Sequence, residues 1–380
     1  MQELLRRWSL LRGFKMRAFV QIDLDAIAHN IAEVRKRTIA PILAVVKADA
    51  YGHGLIPVAT TAINSGATWL GVALLEEAIA LREAGIEVPI IAWLTPPHDD
   101  FEAALNNNID LSVSSIQLFE EILEVANRLG KTPRLHIEVD TGMRRGGVLD
   151  DWENFLRFAF NHKSEYELAG FWSHFAKADE PESEFNFTQM FEFKTKLISL
   201  EESWLIPTTV HLSNSAAILS NPAAHHSMVR LGIAMYGLSP DVQNMGLGSE
   251  FNLRPAMTIK AQLHLVKSAK AGDAVGYGGT EVLTHDTKLG VVAMGYSDGL
   301  PRSTSNSVGV SFAGRKAPLV GRISMDQCVV DLGWDSDAHA GDYVTVMGGD
   351  GYSIDEWAAA ANTINYEIVT RIASRVPRIY

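Results

Sequence analysis

Pro41-Ile-Leu-Ala-Val-Val-Lys47-Ala-Asp-Ala-Tyr51-Gly-His-Gly54 runs an apolar strand into a lysine and then directly into a glycine-rich loop. Outward from this stretch, short β-rich runs alternate with helical ones. The strand candidates are Ile42–Val46, Trp69–Leu74, Val88–Leu94, Ile109–Val113, Arg134–Val139, Leu168–His174, Thr208–Leu212 and Met228–Tyr236. Between them lie helix-like segments such as Leu75–Ala84 and Ile116–Leu129. In the second of these, Ile116, Phe119, Ile122, Leu123 and Ala126 share one face at helical spacing. Gly85 and Gly130 stop the two helices. Eight strands alternating with helices over about 200 residues predict an α/β fold, a (β/α)8 barrel of the TIM type. An open doubly wound sheet is the alternative. It normally uses fewer strands and often a Gly-rich first turn, and no G-x-G-x-x-G follows the first strand here.

After about Gly248 the texture changes. Met257–Val266, Leu289–Ala293, Val308–Phe312, Cys328–Leu332 and Tyr343–Met347 are β-rich and separated by Gly, Pro and Asp turns. Ser353–Ile364 is helix-like and opens on a capping box, with Glu356 three residues after Ser353. The expected division is a barrel domain over 17–247 and a mostly β domain over 248–380. Residues 1–16 carry Arg6, Arg7, Arg12 and Lys15 with no sustained apolar stretch, so they do not read as a secretory signal. They read as a disordered extension or as a start assigned too early, with Met16 opening a strand-like segment.

The 380 residues include 33 basic and 45 acidic side chains, a formal net charge of −12. That field repels phosphates, which argues against nucleic acid or an anionic membrane surface as partner. A local basic pocket for one small anion is compatible with it. Cys328 is the only cysteine, so intramolecular disulfides and Cys-rich metal sites are excluded, and a reducing, cytoplasmic setting fits. No apolar run approaches the ~18 residues that span a bilayer.

Strand C-terminal ends hold the active site in barrels, which puts Lys47 where chemistry occurs. Desolvation there lowers a lysine's pKa and makes it a candidate amine nucleophile; a solvated lysine just past a strand is the plain alternative. In Leu135-His-Ile-Glu138-Val-Asp140-Thr-Gly-Met-Arg-Arg145, alternation puts His136, Glu138 and Asp140 on the face opposite Leu135, Ile137 and Val139. These polar groups should point into the lumen, where a carboxylate needs a partner such as Arg144 or Arg145. His174 ends another strand, and Asn214 and Ser215 supply polar groups at a further one. Arg230 and Gly232 lie in the last strand candidate. Loop hydroxyls and backbone N–H groups after the seventh and eighth strands fit the common barrel phosphate site. In the second domain, Tyr277, Tyr296 and Met325 sit in glycine-flanked segments that allow close backbone approach to a ligand.

Together AVVKADAYGHG, DTGM, SHFAKAD, NSAA, VRLGIAMYGL, VGYGGT, GYSDG, GRISMDQ and the terminal INYE and RVPRIY resemble, in order, the motifs of the alanine racemases. The resemblance runs from Met16 to Tyr380. It implies pyridoxal 5'-phosphate as cofactor, no metal, alanine as substrate and a head-to-tail homodimer. By it, Lys47 is the lysine that joins the cofactor and returns as one catalytic base, and Tyr277 is the opposite base, supplied from the other subunit. His174 and Arg230 resemble the pair supporting that tyrosine and the cofactor ring, with Arg230 facing the pyridine nitrogen. A guanidinium keeps its proton, so the ring becomes a weaker electron sink. Tyr51, Ser215, Tyr366 and the backbone of Gly232 and Ile233 match a phosphate cradle. Arg145 and the Met325 N–H match groups that hold the substrate carboxylate, and Tyr296 matches an aromatic at the substrate entrance. Many family members carry a carbamylated lysine where this chain has Glu138, so Glu138 is expected to pair with Arg145. Arg144 stands where a glycine is usual. A racemase of serine or of several amino acids is the nearest rival reading, and a non-catalytic regulatory protein that binds the same cofactor is the rival from another class.

Overall fold

The computed structural model describes residues 16–380. The expected extension over 1–16 therefore lies outside the described residues, apart from Met16. The chain forms two compact units, Asp23–Ala256 and a second made of the N-terminal segment to Ile22 with Met257–Tyr380.

Strand β1 (Ala18–Ile22) belongs to the second unit. The first unit contains β2 (Ile42–Val45), β3 (Trp69–Val72), β4 (Ile90–Ala92), β5 (Asp110–Val113), β6 (Arg134–Glu138), β7 (Glu167–Trp172), β8 (Thr209–His211) and β9 (Val229–Leu231). All pair in parallel, in the order β8-β7-β6-β5-β4-β3-β2-β9. Between β8 and β9 the ring is bridged by backbone bonds, from the Ser227 N–H to the Val210 carbonyl at 3.2 Å and from the Arg230 N–H to the Ser213 carbonyl at 3.0 Å. This is the expected eight-stranded barrel. The ends of the elements differ more than their number. The run Met228–Tyr236 gives strand only at Val229–Leu231 and then turns into a 3-10 helix over Ile233–Tyr236, with Gly232 between them.

Helix starts follow their caps. Asp23 accepts the Ala26 N–H at 2.9 Å, and Ser115 accepts the Leu118 N–H at 3.2 Å to open Ile116–Leu129. Gly130, at φ 64°, closes that helix. The face read from the sequence is the one packed inward, with Phe119, Ile122, Leu123 and Ala126 buried.

In the second unit, β1 runs antiparallel to the long β10 (Met257–Ala269). The strand-like segment opened by Met16, expected within the barrel domain, thus pairs outside it: its Ala18, Val20 and Ile22 face a β core and are buried there. The boundaries expected at 17 and 247/248 therefore differ from the compact units. A hairpin of β11 (Ala274–Val275) and β12 (Glu281–Val282) follows, then β13 (Thr287–Val292), β14 (Gly309–Phe312), β15 (Arg315–Pro318), β16 (Cys328–Asp331), β17 (Tyr343–Met347) and β18 (Arg378–Ile379). The sheet runs β15-β14-β17-β10-β1-β18, with β13 joining β10 to β16. The capping box is formed: Ser353 Oγ accepts the Glu356 N–H at 3.0 Å, and Glu356 Oε2 accepts the Ser353 N–H at 2.6 Å.

Both ends of this unit converge on Asp298. Its buried carboxylate accepts Arg17 Nη2 at 2.5 Å, Arg375 Nε at 2.6 Å and the Gly295 N–H at 2.9 Å. Burial raises this carboxyl, but the donors outweigh it and hold it below its ordinary range. Asp298 is buried and both arginines are partly exposed, so removing the carboxylate gives up its charge-assisted hydrogen bonds and leaves the Gly295 N–H without its acceptor. Asp298→Ala is expected to lower unfolding stability by on the order of 2 kcal/mol, read from urea denaturation; an unchanged midpoint would contradict this account of the clamp.

Candidate active site

Lys47 leaves β2 at its C-terminal end and enters a rare backbone segment. Ala48, Asp49, Ala50 and Tyr51 all have φ 53°, one turn of left-handed helix. Each such residue with a Cβ costs roughly 1–2 kcal/mol, so the turn must be held from outside. The Ala50 N–H donates to the Val46 carbonyl and the Gly54 N–H to the Asp49 carbonyl, both at 2.8 Å. Asp49 Oδ1 accepts the Leu55 N–H at 2.8 Å. Glu77 supplies the fourth tie, accepting the Ala48 N–H at 2.5 Å through Oε1 and the Ala73 and Leu74 N–H groups through Oε2 at 3.0 and 3.2 Å. Sequence reading passed over Glu77, whose only local signal is a first-turn acid in Leu75–Glu83.

The Lys47 ammonium is half-buried. Burial lowers its pKa, Arg145 and Arg230 add to that, and Glu77 opposes it. A neutral amine is correspondingly easier to reach at moderate pH.

Arg230, in the middle of β9, is 3% exposed. Nη1 donates to His211 Nδ1 at 3.0 Å and to the His211 carbonyl at 2.8 Å. Nη2 contacts the Ser173 carbonyl at 2.8 Å, the Leu212 carbonyl at 3.0 Å and His174 Nδ1 at 3.1 Å. Among the described residues no acceptor meets Nε–H. The guanidinium lies over the Trp172 ring at 5.1 Å. Burial pulls it down to about 9, with Glu138 opposing and Arg145 reinforcing, so it is protonated at neutral pH. His174 is held well below its ordinary range by burial and then by Arg230, Arg145 and Lys47. Its imidazole is neutral.

Ser215 Oγ accepts the Gly232 N–H at 2.9 Å and the Ala234 N–H at 3.3 Å. The Ile233 N–H between them meets no acceptor among the described residues. A Cβ on Gly232 would stand 3.0 Å from the Tyr51 hydroxyl, so glycine keeps this corner open. With both N–H groups already received by Ser215, its O–H is directed elsewhere. A hydroxyl proton, a free backbone N–H and a second hydroxyl converge as a phosphate ester requires. Tyr51 is raised above its ordinary range by burial, which keeps it a phenol. These residues fit the phosphorylated cofactor that the sequence resemblance implies, and the free Nε–H of Arg230 is a donor suited to a ring nitrogen.

The structure brings Lys47, Tyr51, Arg145, His174, Ser215, Arg230, Gly232 and Ile233 to the C-terminal ends of the barrel strands or the loops that follow. Glu138 is there too, but not as expected. Among the described residues no hydrogen bond or ion pair joins it to Arg145. Its carboxylate lies against Gly146, where a Cβ would approach Oε1 to 3.1 Å, while Arg145 lies on an exposed turn. Burial pushes Glu138 up to about 7, with Arg145 and Arg230 opposing through space. Arg144, at φ 60°, comes within 3.9 Å of Asp140, whose Oδ1 accepts the Arg144 N–H at 3.2 Å.

Tyr277, Tyr296, Met325 and Tyr366 belong to the other unit. Tyr277 rises on a tight turn between glycines at φ 74° and 78° and is 68% exposed. Tyr296 and Met325 occupy interlocked loops: Ser297 donates its N–H and hydroxyl to the Met325 carbonyl at 2.9 and 2.7 Å. Tyr366 lies in the short helix Asn365–Thr370.

A closed parallel barrel whose strand ends present a partly desolvated amine and two guanidinium groups is the layout of a barrel enzyme acting on a small anionic substrate. The alanine racemase N-terminal domain family matches residues 22–240, and the alanine racemase C-terminal domain family matches 256–380. An alanine racemase from Salinispora tropica is 44% identical over 370 residues, covering 96% of this chain and 98% of the relative. The crystal structure of alanine racemase from D-cycloserine producing Streptomyces lavendulae aligns with a TM-score of 0.94 at 41% identity, covering 97% of this chain and 98% of that one. The alanine racemase from Bacillus anthracis with bound L-Ala-P aligns with a TM-score of 0.89 at 37% identity, covering 97% and 95%. The chain belongs to the alanine racemase family. It is an enzyme of that family, an amino-acid racemase and hence an isomerase.

The pH dependence of stability follows from Glu138. Its native carboxyl holds a proton between about 4.5 and 7 that the unfolded chain has already lost, so this group costs stability as pH rises through that window. Glu138→Gln carries no such charge. Its thermal midpoint is expected to exceed the parent's at about pH 8 and to converge with it near pH 5; a gap that does not change with pH would contradict this assignment.

Proposed function

We propose that the enzyme interconverts L- and D-alanine with pyridoxal 5'-phosphate, using Lys47 as one base and Tyr277 of the partner subunit as the other, in a cytoplasmic homodimer that supplies D-alanine for peptidoglycan. The observation that carries the reading is the buried, protonated Arg230 with its free Nε–H, set in the same electrostatic neighbourhood as the Lys47 amine. When bound, the cofactor supplies an electron sink that acidifies the α-hydrogen of an amino acid.

The chain's residues account for the rest. Ser215, Tyr51 and the Ile233 N–H hold the phosphate. Arg230 keeps its own proton and gives only a hydrogen bond to the ring nitrogen, which limits the sink and disfavours side reactions. Arg145 offers its charge to the substrate carboxylate, and Glu138 tempers that charge from a distance. Lys47 Nζ removes or returns the α-proton on one side. Inversion needs a second group on the other side, and the Tyr277 hydroxyl is the candidate. The exposure of Tyr277 and Met325 in a single chain supports a role at a neighbouring subunit.

Two measurements test this together. L-alanine should yield D-alanine detectable by D-amino-acid oxidase, and Lys47→Ala should lower turnover roughly 10³-fold or more. Borohydride reduction of the holoenzyme followed by peptide mapping should label position 47. A label elsewhere, or racemisation that survives in Lys47→Ala, would defeat the assignment; a higher kcat/KM for serine would redirect the substrate.

A further inference from the structure

Beneath Arg230 a chain of buried polar groups crosses the barrel and takes no part in the chemistry described above. His211 Nε2 lies 3.0 Å from His136 Nδ1, and His136 Nε2 lies 3.2 Å from Asp110 Oδ2. All three side chains are buried, at 0 to 1% exposure. The contact skips a strand. His136 is on β6 and His211 on β8, with Gly170 of β7 registered beside His136. A Cβ at Gly170 would stand 2.0 Å from His136 Nδ1. The missing side chain is the gap through which the two imidazoles meet.

The polarity of every bond in the chain is forced from its two ends. Arg230 Nη1 can only donate, so His211 Nδ1 must accept and carry no proton. His211 therefore bears its proton on Nε2 and donates to His136 Nδ1. That nitrogen must also be bare, which leaves the His136 proton on Nε2, facing Asp110. The Asp110 carboxylate accepts it, and Arg134 Nε donates to the other oxygen of the same carboxylate at 2.9 Å. A doubly protonated His136 would push the His211 proton onto Nδ1, against the guanidinium. Any other arrangement places two donors or two acceptors face to face in a dry interior.

We infer that Asp110 and His136 are positioning residues for the reaction, locking His211 into the tautomer that receives Arg230 and so aiming the guanidinium from the opposite end of the barrel lumen. The consequence for catalysis rests on the proposed role of Arg230, whereas the tautomer assignment stands on the hydrogen-bond polarity alone. Without the Asp110 acceptor both imidazoles can invert, and a proton on His211 Nδ1 would repel Nη1 and turn the free Nε–H away from its target.

The test separates these parts. In holoenzyme labelled with [15N]histidine, His211 and His136 should each show an unprotonated Nδ1 and a protonated Nε2, with assignments made by signal loss in His211→Asn and His136→Asn. Asp110→Ala should give mixed or inverted tautomers and lower kcat roughly tenfold, with KM for alanine within about twofold of the parent. Arg134→Lys weakens the same ion pair but keeps the carboxylate charged; it should lose stability while retaining both tautomers and kcat. A protonated His211 Nδ1 in the parent enzyme overturns the proposal even if Asp110→Ala does not fold. So does an Asp110→Ala enzyme with parental tautomers and kcat, or an Arg134→Lys enzyme that loses kcat as Asp110→Ala does. If the parent lacks racemase activity but shows the expected tautomers, the functional reading fails and the polarity lock stands.

Discussion

A single positive charge, taken out of water without a carboxylate in contact, organises the barrel interior. Arg230 is held by three backbone carbonyls and two imidazoles. Those carbonyls belong to Ser173, His211 and Leu212, where the chain leaves β7 and β8 and has spare acceptors. A buried cation needs such acceptors in place of water, and here they meet both terminal nitrogens while Nε–H is left over. Its field reaches Lys47 and His174, both of which it disfavours as cations, and Glu138, whose charged form it favours. Burial sets the main shift of all three groups, and the two guanidinium groups of Arg145 and Arg230 add to it for the lysine and the histidine and oppose it for the glutamate.

The second constraint is the left-handed turn after Lys47. Its strain makes sense at a site that presents an amine at a fixed angle while the following Tyr51 doubles back toward Gly232. Tyr236 supports the arrangement from below, donating its hydroxyl to the Val45 carbonyl at 2.8 Å and packing against Tyr51 with ring centroids 4.8 Å apart. The turn is thus fastened by Glu77 and buttressed by an aromatic pair. Neither fastening lies beside Lys47 in the sequence.

The C-terminal unit is built on a different principle. Arg17, just before β1, and Arg375, just before β18, close on Asp298, and the same region ties the loops that carry Tyr296 and Met325. Arg375 also reaches Asp326, next to Met325, at 2.5 Å. Loops bearing exposed aromatic and thioether side chains are in this way fastened to the closing strands of the sheet. That rigidity suits the proposed meeting of these side chains with a neighbouring subunit, since they need no further ordering.

The barrel, the mostly β second unit and the positions of Lys47, Ser215 and Arg230 were legible in the sequence. Alternation and helical periodicity record which face of each element is buried, and glycine and proline record where elements stop. The resemblance added Tyr277 and the cofactor as expectations. Other features were settled only in three dimensions. β1 joined the distant sheet because strand pairing is a long-range choice. Glu138 packed against Gly146 and makes no ion pair with Arg145, which sits on an exposed turn and acts on it only through space. His136 looked from alternation like a lumen residue, and nothing around it named Asp110 or His211 as its partners. Local sequence specifies which way a side chain points, whereas the identity of its neighbour depends on which strands close the ring and on a glycine that leaves room between them.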